Sequence, residues 1–477
     1  MNKINLMMPG NPRYQPKVLI NFFGYDYLYS FIGRVEVACL EVLGEIGVMP
    51  AVIFSELESH VKDRIINLST THIDHIERTE TKHDIRAWVK AAEAVVPEKL
   101  RPWLHIILTS FDAIDTARIL QYSEAHWKVV EPAMRKIMLL FVELVKEHRN
   151  TLQIGRTHGQ HALPITAGFW FATILSRLFN GYLRMNQRAD ALTAKISGAV
   201  GAYNAQQGLG ILDACGEVCF EDRILQKLNL KTSPISTQIL APEPLYDYFS
   251  ALTMTSASFA QFGRDARHLM RSEIGEVAEE FSANQAGSST MAHKRNPINF
   301  ENLEGMYLRI KNELGKVLDT MVSEHQRDLV GSSLARDFPI IVVNFVTQME
   351  TLLRPNAAGR PFLQNITINK DACLRNFNMS KNVILSEPLY IVMQMIGIKN
   401  AHHIVNHTLV PIAQASGKSL IEVADEYAQH NLNFKLIWES RFPDKTREML
   451  KSPESYTGLA SKKSLEIAEK VAATLGS

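Results

Sequence analysis

Apolar positions along the chain recur mostly with a helical period. Met134, Ile137, Met138, Phe141, Leu144 and Val145 follow an i, i+3, i+4, i+7 stripe, with Lys136, Glu143 and Lys146 between them. Residues 166–192 carry Phe169, Ala172, Leu175, Phe179, Leu183 and Leu192 without a break, and 248–280 and 300–321 are further long proline-free stretches. The pattern predicts helices of about 20 to 30 residues packed in a long bundle. Alternating strand patterns are almost absent from the central region, and no Asn-Gly hairpin signal occurs there. Proline and glycine cluster at 8–16, 155–168, 198–210, 234–244 and 287–297, which predicts connections between helices. The 355–361 stretch, PNAAGRP, reads as a linker before a C-terminal piece.

Composition then removes whole classes of function. Lys and Arg total 51 against 50 Asp and Glu, so a nonspecific nucleic-acid binder is disfavoured. No apolar run reaches the roughly 18 residues of a membrane helix, and the N-terminus lacks a signal-peptide core. Four cysteines do not make a disulfide framework, and Cys215 and Cys219 lack a second pair for a zinc site. Free thiols, no metal and a reducing, cytoplasmic setting are expected.

Five polar segments could carry chemistry. Residues 287–297, GSSTMAHKRNP, place hydroxyls, an imidazole, cations and an amide in one short loop, a set that could hold a carboxylate and stabilise developing negative charge. Residues 156–161, RTHGQH, hold His158 in a glycine-bounded turn, a plausible general acid or base near neutral pH. Residues 78–84 (RTETKHD), 105–112 (HIILTSFD) and 326–336 (QRDLVGSSLAR) follow, and the last could surround a phosphate with two arginines and two serines. Taken singly, each of these three reads more readily as a capped helix end with surface ion pairs.

Together the segments resemble the fumarase/aspartase superfamily. GSSTMAHKRNP resembles its GSSxMPxKxN signature loop, RTHGQHALP its THGQ segment and LTSFDAIDTA its TSxD segment. Within the superfamily, Arg13-Tyr14, ERTETKHDIRA, STQI, HKRNPINFENLEG, QRDLVGSSLAR and SPESYTGLA are similar to the adenylosuccinate lyases. The resemblance is strongest over about residues 70–340. It implies an all-α fold of three helical domains: 1–108, a central long-helix bundle at 109–364 bearing the loop at 282–297, and 365–477. It also implies a homotetramer whose active sites are shared between subunits, with no metal and no cofactor. The implied reaction is β-elimination of fumarate from a succinyl-purine nucleotide.

The same resemblance implies roles for single residues. Ser288 would be the general base, Lys294 and Asn296 would stabilise the dianionic intermediate with Ser289 as a further donor, and His158 would protonate the leaving nitrogen. Thr109, Ser110, His83 and Gln238 would hold the succinyl end, and Arg13, Tyr14, Arg327, Ser332 and Arg336 the nucleotide side, chiefly its phosphate. Lys82, Asp84 and Asn302 also match binding positions. The chain departs from the pattern at Ala292, where proline is usual, at Ser197, where asparagine is frequent, and at Phe111, where a small or acidic residue is usual. Rival readings are an argininosuccinate lyase, an aspartase, a cycloisomerase and a silent scaffold. The phosphate-directed segment argues against the first three, and retention of Ser288, His158 and Lys294 argues against the last.

Overall fold

A computed structural model describes residues 15–280, 290–291 and 293–476. The periodic stretches are helices: α1 (Leu28–Glu45), α2 (Asp84–Glu93), α3 (Ser110–Ala125), α4 (Glu131–His148), α5 (Ala167–Asp190), α6 (Glu243–Leu269), α7 (Ile298–Leu318), α8 (Pro339–Leu353), α9 (Lys370–Asn378), α10 (Leu420–His430) and α11 (Ala460–Leu475), with further helices of up to 10 residues and turns between them. Three of these, α5, α6 and α7, span 24, 27 and 21 residues, matching the lengths that the apolar period predicts. The stretch 248–280 stays helical only to Leu269. Among the described residues, no helix is long and apolar enough to cross a membrane.

One expectation is corrected. The punctuated stretch at 155–168 is not a bare connection between helices but the body of a β-hairpin, β1 (Leu152–Thr157) and β2 (Gln160–Thr166), paired antiparallel with Leu152 opposite Thr166 and Thr157 opposite Gln160. Strand pairing tolerates Pro164 here because a two-stranded hairpin has only edge strands, so the missing N–H breaks no interior ladder.

The chain divides into two compact units. One comprises Met1–Arg135, Asn180–Ala260 and Asn302–Thr351, the other Lys136–Phe179, Gln261–Glu301 and Leu352–Ser477. Aromatic side chains fill both interiors. In the first, Tyr122 meets Phe249 edge to face at 5.1 Å, and Phe249 meets Phe338 at 5.9 Å. In the second, Phe262 packs on Phe141, Trp170 and Phe300 at 5.1, 5.7 and 5.9 Å. A further core in the second unit joins Phe377, Leu389, Val405, Leu420 and Trp438 to Ile154 of β1, so the hairpin base is packed as well as paired.

Candidate active site

In the first unit the site is built around the N-terminus of α3. Thr109 is its N-cap and forms a capping box with Asp112, whose Oδ2 accepts the Thr109 N–H at 2.8 Å. Ser110 is the first helical residue. Asp112 is fully buried. Its Oδ1 also accepts Lys195 Nζ at 2.6 Å, Ser197 N at 3.0 Å and Gly198 N at 3.2 Å. Lys195 is itself fully buried, and its ammonium donates again to the Gln238 carbonyl at 3.0 Å. A buried charge pair is tolerable only when its remaining donors and acceptors are satisfied. Here the backbone of two other segments does that work, which fixes their path.

The segment before Gln238 is held just as closely. Ser197 Oγ lies 2.7 Å from Ser236 Oγ, so the residue at the departing position belongs to this network. Gly201 sits at φ +76°, and a Cβ there would lie 2.0 Å from the Ser236 carbonyl oxygen, so only glycine fits beneath that chain. Gln238 Oε1 then accepts Arg327 Nη1 at 2.8 Å, and the Arg327 guanidinium carbon sits 3.6 Å from the centroid of the Phe111 ring. Phe111, Arg327 and Ser332 line one cleft with Asp115, Arg118, Tyr122 and an apolar wall that includes Leu240 and Pro242. Burial pushes the Asp115 carboxyl up from its ordinary range, although it accepts the Leu240 N–H at 3.1 Å and has Arg118 beside it.

The loop leading to Thr109 stores strain. His105 and Ile107 both have positive φ, +55° and +60°, a conformation that is exceptional for a β-branched residue. Glu36 on α1, 1 % exposed, holds this loop by accepting His105 N at 3.2 Å and facing His105 Nδ1 at 2.7 Å. Burial alone would lower the His105 pKa, but the Glu36 hydrogen bond and charge outweigh it and hold it above the ordinary imidazole value.

The other expected residues of this unit are more loosely placed. His83 is the N-cap residue of α2 without a side-chain cap bond, its Nδ1 lies 3.1 Å from Asp84 Oδ1, and Lys82, in the left-handed region at φ +52°, donates to the Arg78 carbonyl. Burial lowers the Arg327 pKa, and the Asp115 and Asp84 charges oppose that shift. Asn302 instead donates to Thr351 Oγ1 at 2.8 Å, Ser332 lies on a short helical turn, Val330–Leu334, and Arg336 is exposed.

In the second unit His158 and Gly159 form the two-residue hairpin loop, with φ +54° and +76°. Positive φ at both positions defines a type I′ turn, and histidine is among the few side chains that enter this region with any frequency. His158 is exposed at the tip. The base of the hairpin is fixed by Glu276, fully buried, which takes Arg156 Nη2 at 2.6 Å, Arg156 Nη1 at 3.1 Å, Gln153 Nε2 at 2.9 Å and Asn376 Nδ2 at 2.8 Å. Lys294 is exposed and Asn296 half-buried on the segment entering α7. Arg13, Tyr14, Ser288, Ser289 and Ala292 lie outside the described residues.

Sequence reasoning about sites missed Lys195, Glu36 and Glu276. Each is a charged residue without a local partner in the chain. Lys195, three residues before the glycine-rich 198–210 stretch, is the one weak signal in the sequence.

The family model described as lyase matches residues 46–311. The adenylosuccinate lyase of Archaeoglobus fulgidus is 30% identical over 464 residues, covering 95% of this chain and 96% of that protein. The N-acetyl-S-(2-succino)cysteine lyase of Dickeya dadantii is 30% identical over 373 residues, 78% of each chain. The crystal structure of a fumarate lyase from Mesorhizobium sp. BNC1 superposes with a TM-score of 0.78 at 22% identity, over 97% of this chain and 100% of that one, and shows the same all-α fold. The chain belongs to the lyase family of the fumarase/aspartase superfamily.

Proposed function

We propose that the chain is an adenylosuccinate lyase, a carbon–nitrogen lyase that eliminates fumarate from adenylosuccinate to give AMP. On the same reading it cleaves succinyl-aminoimidazole carboxamide ribotide in the same way. The observation that carries the reading is the hydrogen-bonded chain from Thr109 through Asp112, Lys195 and Gln238 to Arg327, with Ser110 the first residue of the same helix. A substrate with a dicarboxylate at one end and a phosphate at the other needs both polar helix-end donors and an arginine.

The chemistry sets what the remaining groups must do. The proton removed lies beside a carboxylate and is weakly acidic, so its loss creates a dianion that cations and amides must stabilise. Ser288 takes that proton, acting as an alkoxide once its loop has excluded water, and Lys294 and Asn296 hold the charge with Ser289. His158 returns a proton to the departing nitrogen. Thr109, Ser110, His83 and Gln238 orient the succinyl group, while Arg13, Tyr14, Arg327, Ser332 and Arg336 bind the phosphate, with Lys82, Asp84 and Asn302 in support. The three-domain division and a homotetramer with sites shared between subunits belong to the same proposal.

An ultraviolet assay with adenylosuccinate in metal-free buffer tests it. Turnover is expected, with release of fumarate, and Ser288→Ala should lose about 100-fold or more of kcat. A folded wild-type protein without turnover would overturn the substrate assignment and direct attention to succinyl-thiol and argininosuccinate substrates. Near-normal kcat in Ser288→Ala would remove serine from the role of base.

A further inference from the structure

We propose that Phe111 is a positioning residue for phosphate binding, holding the Arg327 guanidinium on its ring face in place of the small or acidic side chain expected at that position. The inference rests on the reading of Arg327 as a phosphate ligand. Arg327 lies between α7, which ends at Leu318, and the short turn that begins at Val330, so no long helix fixes its backbone. Its neighbours Leu329 and Val330 are 68% and 69% exposed. The guanidinium is nevertheless held at two points, the Phe111 ring at 3.6 Å and Gln238 Oε1 at 2.8 Å.

Phe111 is suited to this because it is rigid. It is the second residue of α3, 8% exposed, and its immediate neighbour is the buried Asp112 that ties the helix start to Lys195. A cation over an aromatic face is attracted without use of an N–H donor. Arginine has five such donors, Gln238 takes one, and the ring takes none. The planar fork is thereby oriented with its edge left for bidentate phosphate oxygens. Asp115, one turn along α3 in the same cleft, adds an attraction for the cation.

Kinetics of the full chain with Phe111→Leu and Phe111→Tyr decide the matter. In Phe111→Leu, KM for adenylosuccinate and the inhibition constant of AMP should both rise about five- to tenfold, with kcat within about twofold and the inhibition constant of fumarate unchanged. Phe111→Tyr, which keeps the ring face, should restore both constants. Unchanged AMP inhibition, or AMP and fumarate constants rising together, would overturn the proposal, since the second outcome means general distortion of the α3 terminus. A wild-type protein with no turnover would fail the lyase reading alone. In that event calorimetric titration of the same variants with AMP and with inorganic phosphate still decides whether Phe111 supports an anion site.

Discussion

Asp112 and Glu276 are both fully buried carboxylates, and the two are satisfied in contrasting ways. Asp112 takes one ammonium and three backbone amides from two separate segments. Among the described residues, the Glu276 carboxylate takes side-chain donors, from Arg156, Gln153 and Asn376. Backbone donors lock the path of the chain, so the first anchor fixes a surface: the α3 terminus, the 195–198 segment and, through Lys195, Gln238. Side-chain donors lock an orientation, so the second fixes an arm, a hairpin whose tip carries His158 into solvent. The groups proposed to grip a substrate stand on the surface, and the group proposed to deliver a proton stands on the arm.

The comparison breaks most severely at Lys195. Lys195→Met strips Asp112 of its cation inside the core and should cost about 3–5 kcal/mol by urea denaturation. A loss below about 1 kcal/mol would mean that the three amides suffice and that the two anchors are alike.

Acid should weaken the first unit next. Burial depresses the His126 pKa from 6.5 to about 4, while Asn186 opposes the shift. Above pH 6.5 the folded and unfolded states are both neutral at this site. As pH falls from 6.5 towards 4, only the unfolded chain takes the proton, so stability falls by about 3 kcal/mol in all. Urea midpoints at pH 7 and pH 4.5 should therefore converge in His126→Asn relative to wild type. Equal pH dependence in the two proteins would exclude His126 as the cause.

Glu276→Gln should have the smallest effect on stability, about 2 kcal/mol, because Arg156 is 14% exposed and can rehydrate. Its sharper signature is kinetic: kcat should drop while KM holds, because the hairpin carries His158 and not the residues assigned to grip the substrate. A rise in KM with kcat intact would place Glu276 with the binding surface and erase the contrast.

The long helices were legible because their burial is one-sided and repeats every three to four residues, as at Met134, Ile137, Met138 and Phe141. The hairpin was not. Its turn is His-Gly where the strong signal is Asn-Gly, and Pro164 argues against a strand to any reader who does not know that both strands are edges. The candidate side chains were legible as motifs, since chemistry restricts residue type at fixed spacing. Their supports were not, because Lys195 pairs with Asp112 across 83 positions and Arg156 with Glu276 across 120, distances at which sequence carries no local trace.

Those same separations order events during synthesis. At roughly 5–20 residues per second, the Asp112 carboxylate waits about 4 to 17 seconds for Lys195 to be made, and longer for Gln238. Until then α3 has its capping box but no Lys195 counter-ion, while Glu36 already holds the strained 105–107 loop. In a nascent chain stalled before residue 195 the Asp112 carboxylate is free to stay hydrated, so the start of α3 gains nothing by burial until its counter-ion arrives. The ribosome must pass that point before the surface anchored on Asp112 can exist.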